Sequence, residues 1–233
     1  LGLVGSEMCI RDSINTVQVS TLSEKNIKIK NLEVSPDGQL IAVLMSDNTL
    51  LFFDQQGKSV NHLKYPKLQN LRKKFTKQFI RFSPDSKSLA IALLDQEGKG
   101  QVLLWSMAEN KAKMLTSKSI PSIQSLSFSP DHQSIAVGSE DGSIRIWQNT
   151  EIKPQIITAH NSYVNSLAFN FESKILATGD QDGCLIFWQK QGIKWQKFLT
   201  QKCDSPITDL KFSPINQTLA ILRLSLIHIS EPT

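Results

Sequence analysis

Few residues of this 233-residue chain have the types and spacing that chemistry requires. His160 and Cys203 stand at comparable positions in successive segments, and a thiol beside an imidazole could form a nucleophile–base pair. Asp141 and Asp182 also recur, and paired carboxylates could act as general acid and base. However, the sequence suggests no third group to orient the Cys–His pair, and each aspartate precedes a glycine, which is typical of tight turns. The sequence therefore predicts structural roles for these residues rather than catalysis.

Cofactor and metal motifs are equally hard to find in the sequence. The three cysteines lack CxxC spacing, and the histidines are too scattered to suggest a metal site. No glycine-rich phosphate loop occurs, and the sequence has no run of eighteen apolar residues, which is the length that a membrane-spanning helix needs. A composition of 40% hydrophobic and 20% charged residues is typical of a folded domain. We therefore expect no cofactor, no small-molecule substrate and no membrane span. The sparse cysteines favour a reduced, cytoplasmic setting.

A repeat organises the chain. Its five anchors lie 48, 46, 41 and 43 residues apart, and we number the repeats by them: Ser35, Ser83, Ser129, Asn170 and Ser213. The first three anchors each open a Ser-Pro-Asp turn. An alanine stands seven residues after every anchor: Ala42, Ala90, Ala136, Ala177 and Ala220. Periods in this range are typical of stacked supersecondary units.

Each repeat predicts four short strands. The first ends at the anchor, and the second carries the alanine. An Asp-Gly pair such as Asp141-Gly142 favours a hairpin turn before the third strand. That third strand ends in an aromatic residue: Phe53, Trp105, Trp147 and Trp188 in the first four repeats. The strands are nearly continuously apolar, which indicates sheets covered on both faces.

The period, the Ser-Pro-Asp and Asp-Gly turns and the strand-end tryptophan together resemble the WD40 family. The resemblance implies an all-β fold, a partial WD40-type β-propeller with about four complete four-stranded blades and parts of two flanking blades. The first flanking part would be a strand around Thr16–Thr21. The resemblance also implies a buried structural tetrad in repeat 4: His160, Thr178, Asp182 and Trp188. The other repeats have valine or isoleucine where Thr178 stands, so no full tetrad is expected there.

The two ends of the chain are related at the level of DNA. Residues 224–233 can be encoded by CTG TCT CTT ATA CAC ATC TCC GAG CCC ACG, the reverse complement of most of a string that encodes residues 3–13. This element resembles the adapter of transposase-based sequencing libraries. We therefore expect residues 1–13 and 224–233 to be adapter-encoded, and residues 14–223 to be the partial propeller. Without the adapter residues the net charge rises from +5 to about +7.

Loops on a rigid scaffold are the expected binding sites. Repeat 2 has the longest loops, and its segment 61–77 holds seven Lys, Arg or His residues and no acid. The candidate partner-binding residues of this repeat are Arg72, Lys73, Lys74, Lys77 and Lys99. Three further candidates lie beside the expected structural positions of repeats 3 and 4: Glu140, Tyr163 and Gln181.

The sequence favours a non-catalytic scaffold or recognition propeller within a longer protein, which binds a protein or peptide. An alternative is a propeller that binds nucleic acid or another anionic partner through the basic segment. A second alternative is a propeller enzyme with a site in its central funnel. This alternative would need converging polar or metal-binding residues, which the sequence does not suggest.

Overall fold

The computed structural model describes residues 2–4, 7–11, 16–18, 28–46, 49–60, 75–116, 119–148 and 153–224. Over these ranges the chain consists of strands, turns and irregular segments, without a helix. In this part of the chain, therefore, no helix is long and apolar enough to cross a membrane. The all-β class predicted from the repeat is confirmed.

The chain divides into two compact units, Leu1–Glu97 with Gln101–Met114, and Gly98–Gly100 with Leu115–Thr233. The strands assigned mainly to the first unit are β1 (Gly2–Val4), β2 (Glu7–Arg11), β3 (Thr16–Gln18), β4 (Ile29–Val34), β5 (Leu40–Met45), β6 (Leu50–Asp54), β7 (Phe75–Phe82), β8 (Ser88–Asp95), β9 (Lys99–Ser106) and β10 (Lys111–Met114). Those of the second are β11 (Ile120–Pro121), β12 (Ile123–Phe128), β13 (Ser134–Ser139), β14 (Ser143–Gln148), β15 (Gln155–Thr158), β16 (Val164–Phe169), β17 (Ile175–Asp180), β18 (Cys184–Gln191), β19 (Lys194–Lys202), β20 (Ile207–Phe212) and β21 (Leu219–Arg223).

Each repeat forms its own antiparallel sheet. The strand orders are β4-β5-β6, β10-β9-β8-β7, β12-β13-β14-β15, β16-β17-β18-β19 and β20-β21. The short strand β11 also pairs with Lys99 and Gly100 at the start of β9. Repeats 2, 3 and 4 therefore have the predicted four strands. Repeat 1 has three strands, and its expected fourth strand would follow Val60, at residues that lie outside those described.

The strand expected around Thr16–Thr21 differs from the prediction. Residues Thr16–Gln18 do form a strand, but it pairs with Glu7–Arg11 in a separate three-stranded sheet, β1-β2-β3. This strand therefore pairs within a separate local sheet and not with the strands of a repeat.

The anchor residue closes the turn between the first two strands of each sheet. In repeat 3 the Ser129 hydroxyl donates to Asp131 Oδ1 at 2.5 Å and accepts from the Ser134 N–H at 2.9 Å. Asn170 replaces this serine–aspartate pair in repeat 4, and its Oδ1 accepts the N–H groups of Lys174 and Ile175. Three residues after the anchor the backbone turns left-handed, with positive φ at Gly38, Ser86, His132 and Ser173. The recurring Ser-Pro-Asp motif is therefore a hydrogen-bonded turn.

The alanine column lies where successive sheets pack together. Ala136 of repeat 3 is fully buried and belongs to one apolar cluster with Phe169, Leu176 and Trp188 of repeat 4. Ala177 of repeat 4 in turn packs with Ile207 of repeat 5. A small side chain at this position lets the next sheet come close, and burial on both faces explains the nearly continuous apolar strands.

Glycine brings neighbouring sheets still closer in the second unit. A Cβ on Gly138 would lie 2.7 Å from Val164 Cγ1, and one on Gly179 would lie 2.4 Å from Ile207 Cγ2. These contacts join repeat 3 to repeat 4 and repeat 4 to repeat 5. The first strand of each following sheet, β16 and β20, is therefore held against the second strand of the sheet before it.

Candidate functional site

A hydrogen-bonded chain of buried side chains ties repeat 4 together. His160 precedes β16, Thr178 and Asp180 lie on β17, and Trp188 lies on β18. His160 Nδ1 is 2.8 Å from Asp180 Oδ2, and His160 Nε2 is 2.7 Å from Thr178 Oγ1. Trp188 Nε1 donates to the same Thr178 oxygen at 2.9 Å. Because residues 178 and 180 are two apart on one strand, both side chains reach the same face.

Burial sets the protonation state of His160. The imidazole is 4% exposed, and this burial lowers its pKa below the ordinary histidine value, although the hydrogen bond to Asp180 acts in the opposite direction. A neutral ring fits these two partners when Nδ1–H donates to Asp180 and Nε2 accepts the Thr178 hydroxyl proton, whose other acceptor, the Ile186 carbonyl, is farther from the hydroxyl oxygen at 3.3 Å. Both ring nitrogens are then engaged, and no lone pair of the ring is left to act as a general base or to activate Cys203.

The carboxylate of this network is Asp180, and the expectation that Asp182 would supply it is wrong. Asp180 Oδ1 also accepts the N–H groups of Asp182 at 3.0 Å and Cys184 at 2.7 Å, so this carboxylate closes the β17–β18 turn. Asp182 is exposed in that turn. The alternation of Thr178 and Asp180 along β17 was the sequence signal that could have identified the correct residue.

His160, Asp180 and Cys184 are the group of described residues whose ligand atoms come close enough to suggest a metal, all within 4.8 Å of one another. The geometry favours a proton instead. Two ligands of one tetrahedral zinc, each about 2.0 Å from the metal, lie more than about 3 Å apart, whereas His160 Nδ1 and Asp180 Oδ2 are 2.8 Å apart. Burial also raises the pKa of the Cys184 thiol, which disfavours the thiolate that a metal needs.

Repeat 3 replaces the histidine network with an arginine. Arg145 donates to Ser139 Oγ at 3.1 Å and to Ser143 Oγ at 2.5 Å, and the Asp141 carboxylate lies 3.9 Å from its second nitrogen. Asp141 Oδ1 accepts the N–H of Ser143 at 3.0 Å, so this aspartate acts as a turn residue. Trp147 Nε1 donates to the Leu115 carbonyl at 3.2 Å. The sequence reasoning did not identify Arg145.

The strand-end aromatic residues of repeats 1 and 2 are core residues. Phe53 is 3% exposed and Trp105 is fully buried. Trp105 packs edge-on against Phe52, with ring centroids 5.4 Å apart. The described part of the chain thus places the strand-end aromatics of the first four repeats, Trp147 and Trp188 included, in the interior.

The three candidates in repeats 3 and 4 come together on one surface of the second unit. The Glu140 carboxylate interacts with Tyr163 and raises the pKa of the tyrosine. Gln181 N–H donates to the Tyr163 carbonyl at 3.0 Å, and its side-chain oxygen accepts from Asn165 Nδ2 at 2.7 Å. Tyr163 itself is 44% exposed. We call Glu140, Tyr163, Asn165 and Gln181 the Tyr163 patch.

The basic candidates of repeat 2 are only partly covered by the described residues. Arg72, Lys73 and Lys74 lie outside the described residues, and Lys77 is described only as part of the backbone of β7. Lys99 begins β9 and is exposed. Asp95, also in the longer loop region, is buried, and its Oδ1 accepts the Glu97 N–H at 3.0 Å.

Successive antiparallel sheets, several of them built on four strands in sequence order and packed through small residues, define a β-propeller, as the repeat predicted. The chain belongs to the family described as IFT140 first beta-propeller, which matches residues 62–230. Comparison with curated proteins found no match. The predicted partial propeller is confirmed at this level.

Proposed function

We propose that the chain is a non-catalytic recognition module that binds a protein or peptide partner through the Tyr163 patch. Tyr163 carries the proposal, because it is 44% exposed, Glu140 raises its pKa, and its backbone carbonyl accepts the Gln181 N–H. An aromatic side chain that already interacts with a neighbour loses less conformational entropy when a partner covers it than a free side chain does. Tyrosine is also enriched among residues that dominate binding energies.

The match to the IFT140 first beta-propeller family supports an interaction role over an enzymatic one. The hydrogen bonds of His160 also support a non-enzymatic role, because both ring nitrogens already have partners. We further propose that the propeller is of the WD40 type. Support for this comes from the His160–Thr178–Trp188 chain and the hydrogen-bonded Ser-Pro-Asp turns, both of which match the sequence resemblance.

Site-specific photo-crosslinking tests the recognition role. A photo-reactive amino acid is placed at Gln181 in the patch and, as a control, at Lys174, whose side chain is 71% exposed. In extract from the source cells, we expect a discrete crosslinked protein from position 181. It should disappear when Tyr163→Ala and Glu140→Ala are added. Identical crosslinked products from positions 174 and 181 would refute binding at the patch.

A second candidate function, binding of an anionic partner, is favoured by the acid-free segment 61–77 and by the exposed Lys99. It predicts binding to polyuridine that weakens steeply with salt, because basic side chains displace counterions. The Lys73→Glu plus Lys74→Glu variant should reduce that binding. Binding that is indifferent to salt would exclude this function.

We also propose that residues 1–13 and 224–233 are encoded by adapter DNA. Support comes from the reverse-complement relation between their codings. Sequencing the source locus across both ends, from a library made without adapters, tests this. A locus that encodes both terminal peptides would overturn it.

A further inference from the structure

A groove of about 440 Å³ lies in the second unit, between the repeat-3 and repeat-4 sheets. We call it the rim groove, since it is formed by the outer strand β15 and the hairpin between β18 and β19. Pro154 and Ile193 supply apolar surface over the buried Ile146, and Lys153 and Lys194 supply positive charge. None of the residues that line the groove belongs to the Tyr163 patch.

Side-chain amides hold the walls of the groove in place. Gln155 Nε2 donates to the Trp195 carbonyl at 3.0 Å, and Gln155 Oε1 accepts the Trp195 N–H at 2.9 Å. Gln148 Nε2 donates to the Ile193 carbonyl. These bonds join β14 and β15 to the β18–β19 hairpin, so the groove is formed before any ligand arrives, and little ordering is needed on binding.

The chemistry of the lining selects the occupant. Lys153 and Lys194 are exposed, and within the described residues neither ammonium group has a carboxylate within 4.0 Å. The neighbouring Lys190 differs, since it lies 4.0 Å from Asp131. Ile193 is 78% exposed, which is a large fraction for an apolar side chain at the edge of a groove. Two exposed cations beside exposed apolar surface fit a ligand that carries both carboxylates and apolar side chains.

We propose that the rim groove binds an acidic, partly apolar peptide segment of a partner protein. Carboxylates of the peptide pair with Lys153 and Lys194, and an adjacent apolar side chain covers Pro154 and Ile193. A nucleic acid strand would use the two cations but has no aliphatic side chain for the apolar surface. The proposal rests on the proposed recognition role, but it concerns a site separate from the Tyr163 patch.

The probe is a fluorescein-labelled heptapeptide that alternates glutamate and leucine, with fluorescence anisotropy measured on the full chain. We expect Lys153→Glu plus Lys194→Glu to weaken binding about tenfold, from the loss of two exposed ion pairs and the new repulsion. The control, Lys211→Glu plus Arg223→Glu, changes the net charge equally at exposed sites of another sheet and should leave the affinity unchanged. Ile193→Ser should weaken binding severalfold, because it removes apolar surface without disturbing the backbone bond from Gln148.

Three results would overturn the proposal. The first is no detectable binding of the peptide. The second is equal weakening by both charge-reversal variants. The third is that the Ile193→Ser variant binds the peptide as tightly as the unmodified chain does, while the unmodified chain binds an octameric polyuridine at least as tightly as it binds the peptide. Circular dichroism of each variant separates lost binding from lost folding. The Tyr163→Ala variant should bind the peptide normally. If the peptide does not bind but crosslinking at Gln181 succeeds, only the proposal for the rim groove is wrong. If the peptide binds but crosslinking at Gln181 fails, only the proposal for the Tyr163 patch is wrong.

Discussion

Gly142, in the turn of repeat 3, faces the backbone of His160 so closely that a Cβ at 142 would lie 2.1 Å from the His160 carbonyl oxygen. Gly142 also has φ of +74°, where residues with side chains are strained. The turn of one sheet therefore touches the segment that leads His160 into the network of the next. Position 142 couples the packing of the two sheets to the placement of that histidine.

The first prediction follows from this contact. Gly142→Ala should lower the free energy of unfolding by about 3 kcal/mol, because left-handed strain and a backbone clash act together. Gly192→Ala is the matched control: its φ is +61°, but no atom lies within 4 Å of the added Cβ. It should cost about 1 kcal/mol, from strain alone. Urea unfolding measures both, and equal losses would contradict the contact.

The second prediction concerns pH. Burial lowers the pKa of His160 in the folded state below the ordinary value of 6.5, so the unfolded chain binds this proton first as the pH falls. Stability from this group is therefore present above about pH 6.5 and is lost as the pH falls towards the folded pKa, with a slope of at most about 1.4 kcal/mol per pH unit. Urea midpoints measured between pH 8 and pH 5 should show this loss. The His160→Gln variant should show a smaller loss over the same range, and an unchanged slope would contradict the assignment.

The third prediction separates the two aspartates of the repeat-4 turn. Asp180→Ala should cost about 2–3 kcal/mol, because it leaves His160 Nδ1–H and two backbone N–H groups without their acceptor. Asp182→Ala, at the exposed neighbouring position, should cost less than about 1 kcal/mol. Chemical denaturation measures the free energy of unfolding of both variants. A larger loss of stability for Asp182→Ala than for Asp180→Ala would show that Asp182 supplies the carboxylate of the network.

The fourth prediction tests the hydroxyl of Thr178. Thr178→Val keeps the shape but leaves Trp188 Nε1–H and His160 Nε2 without the oxygen that both contact, so stability should fall by about 2 kcal/mol. Thr178→Ser keeps the hydroxyl and should lose only about 1 kcal/mol, from one methyl group. Valine already stands at the equivalent position, Val137, in repeat 3, where the tryptophan donates elsewhere. If valine were as good as serine at 178, the network would not stabilise the sheet.

The fifth prediction addresses the Tyr163 patch. The Glu140 carboxylate raises the pKa of Tyr163, so Glu140→Gln should lower that pKa towards the ordinary tyrosine value near 10. The chain has two tyrosines, and Tyr65→Phe leaves one to observe in a spectrophotometric titration. In that background, a Tyr163 pKa unaffected by Glu140→Gln would show that the pair does not form in solution.

Much of the fold was predictable because the same residue types recur at the same positions in successive repeats, where they meet the same packing and turn requirements. The alanine column marks where the next sheet approaches, and the strand-end aromatics mark the core. Position 182 misled the prediction because Asp-Gly signals a turn equally well whether or not its carboxylate reaches a histidine. The residue that does reach it, Asp180, is distinguished only by sharing a strand face with Thr178.

The sequence by itself determined the class of fold, the sheet boundaries and the position of His160, since these depend on local turn chemistry and on apolar periodicity. Tertiary structure alone decided which side chains meet across sheets. Gln155 meets the Trp195 backbone 40 residues later, and Tyr163 meets Glu140 of the preceding repeat. Such pairs depend on the register and separation of two packed sheets, which no spacing along one strand encodes. The Tyr163 patch and the rim groove both arise from that packing.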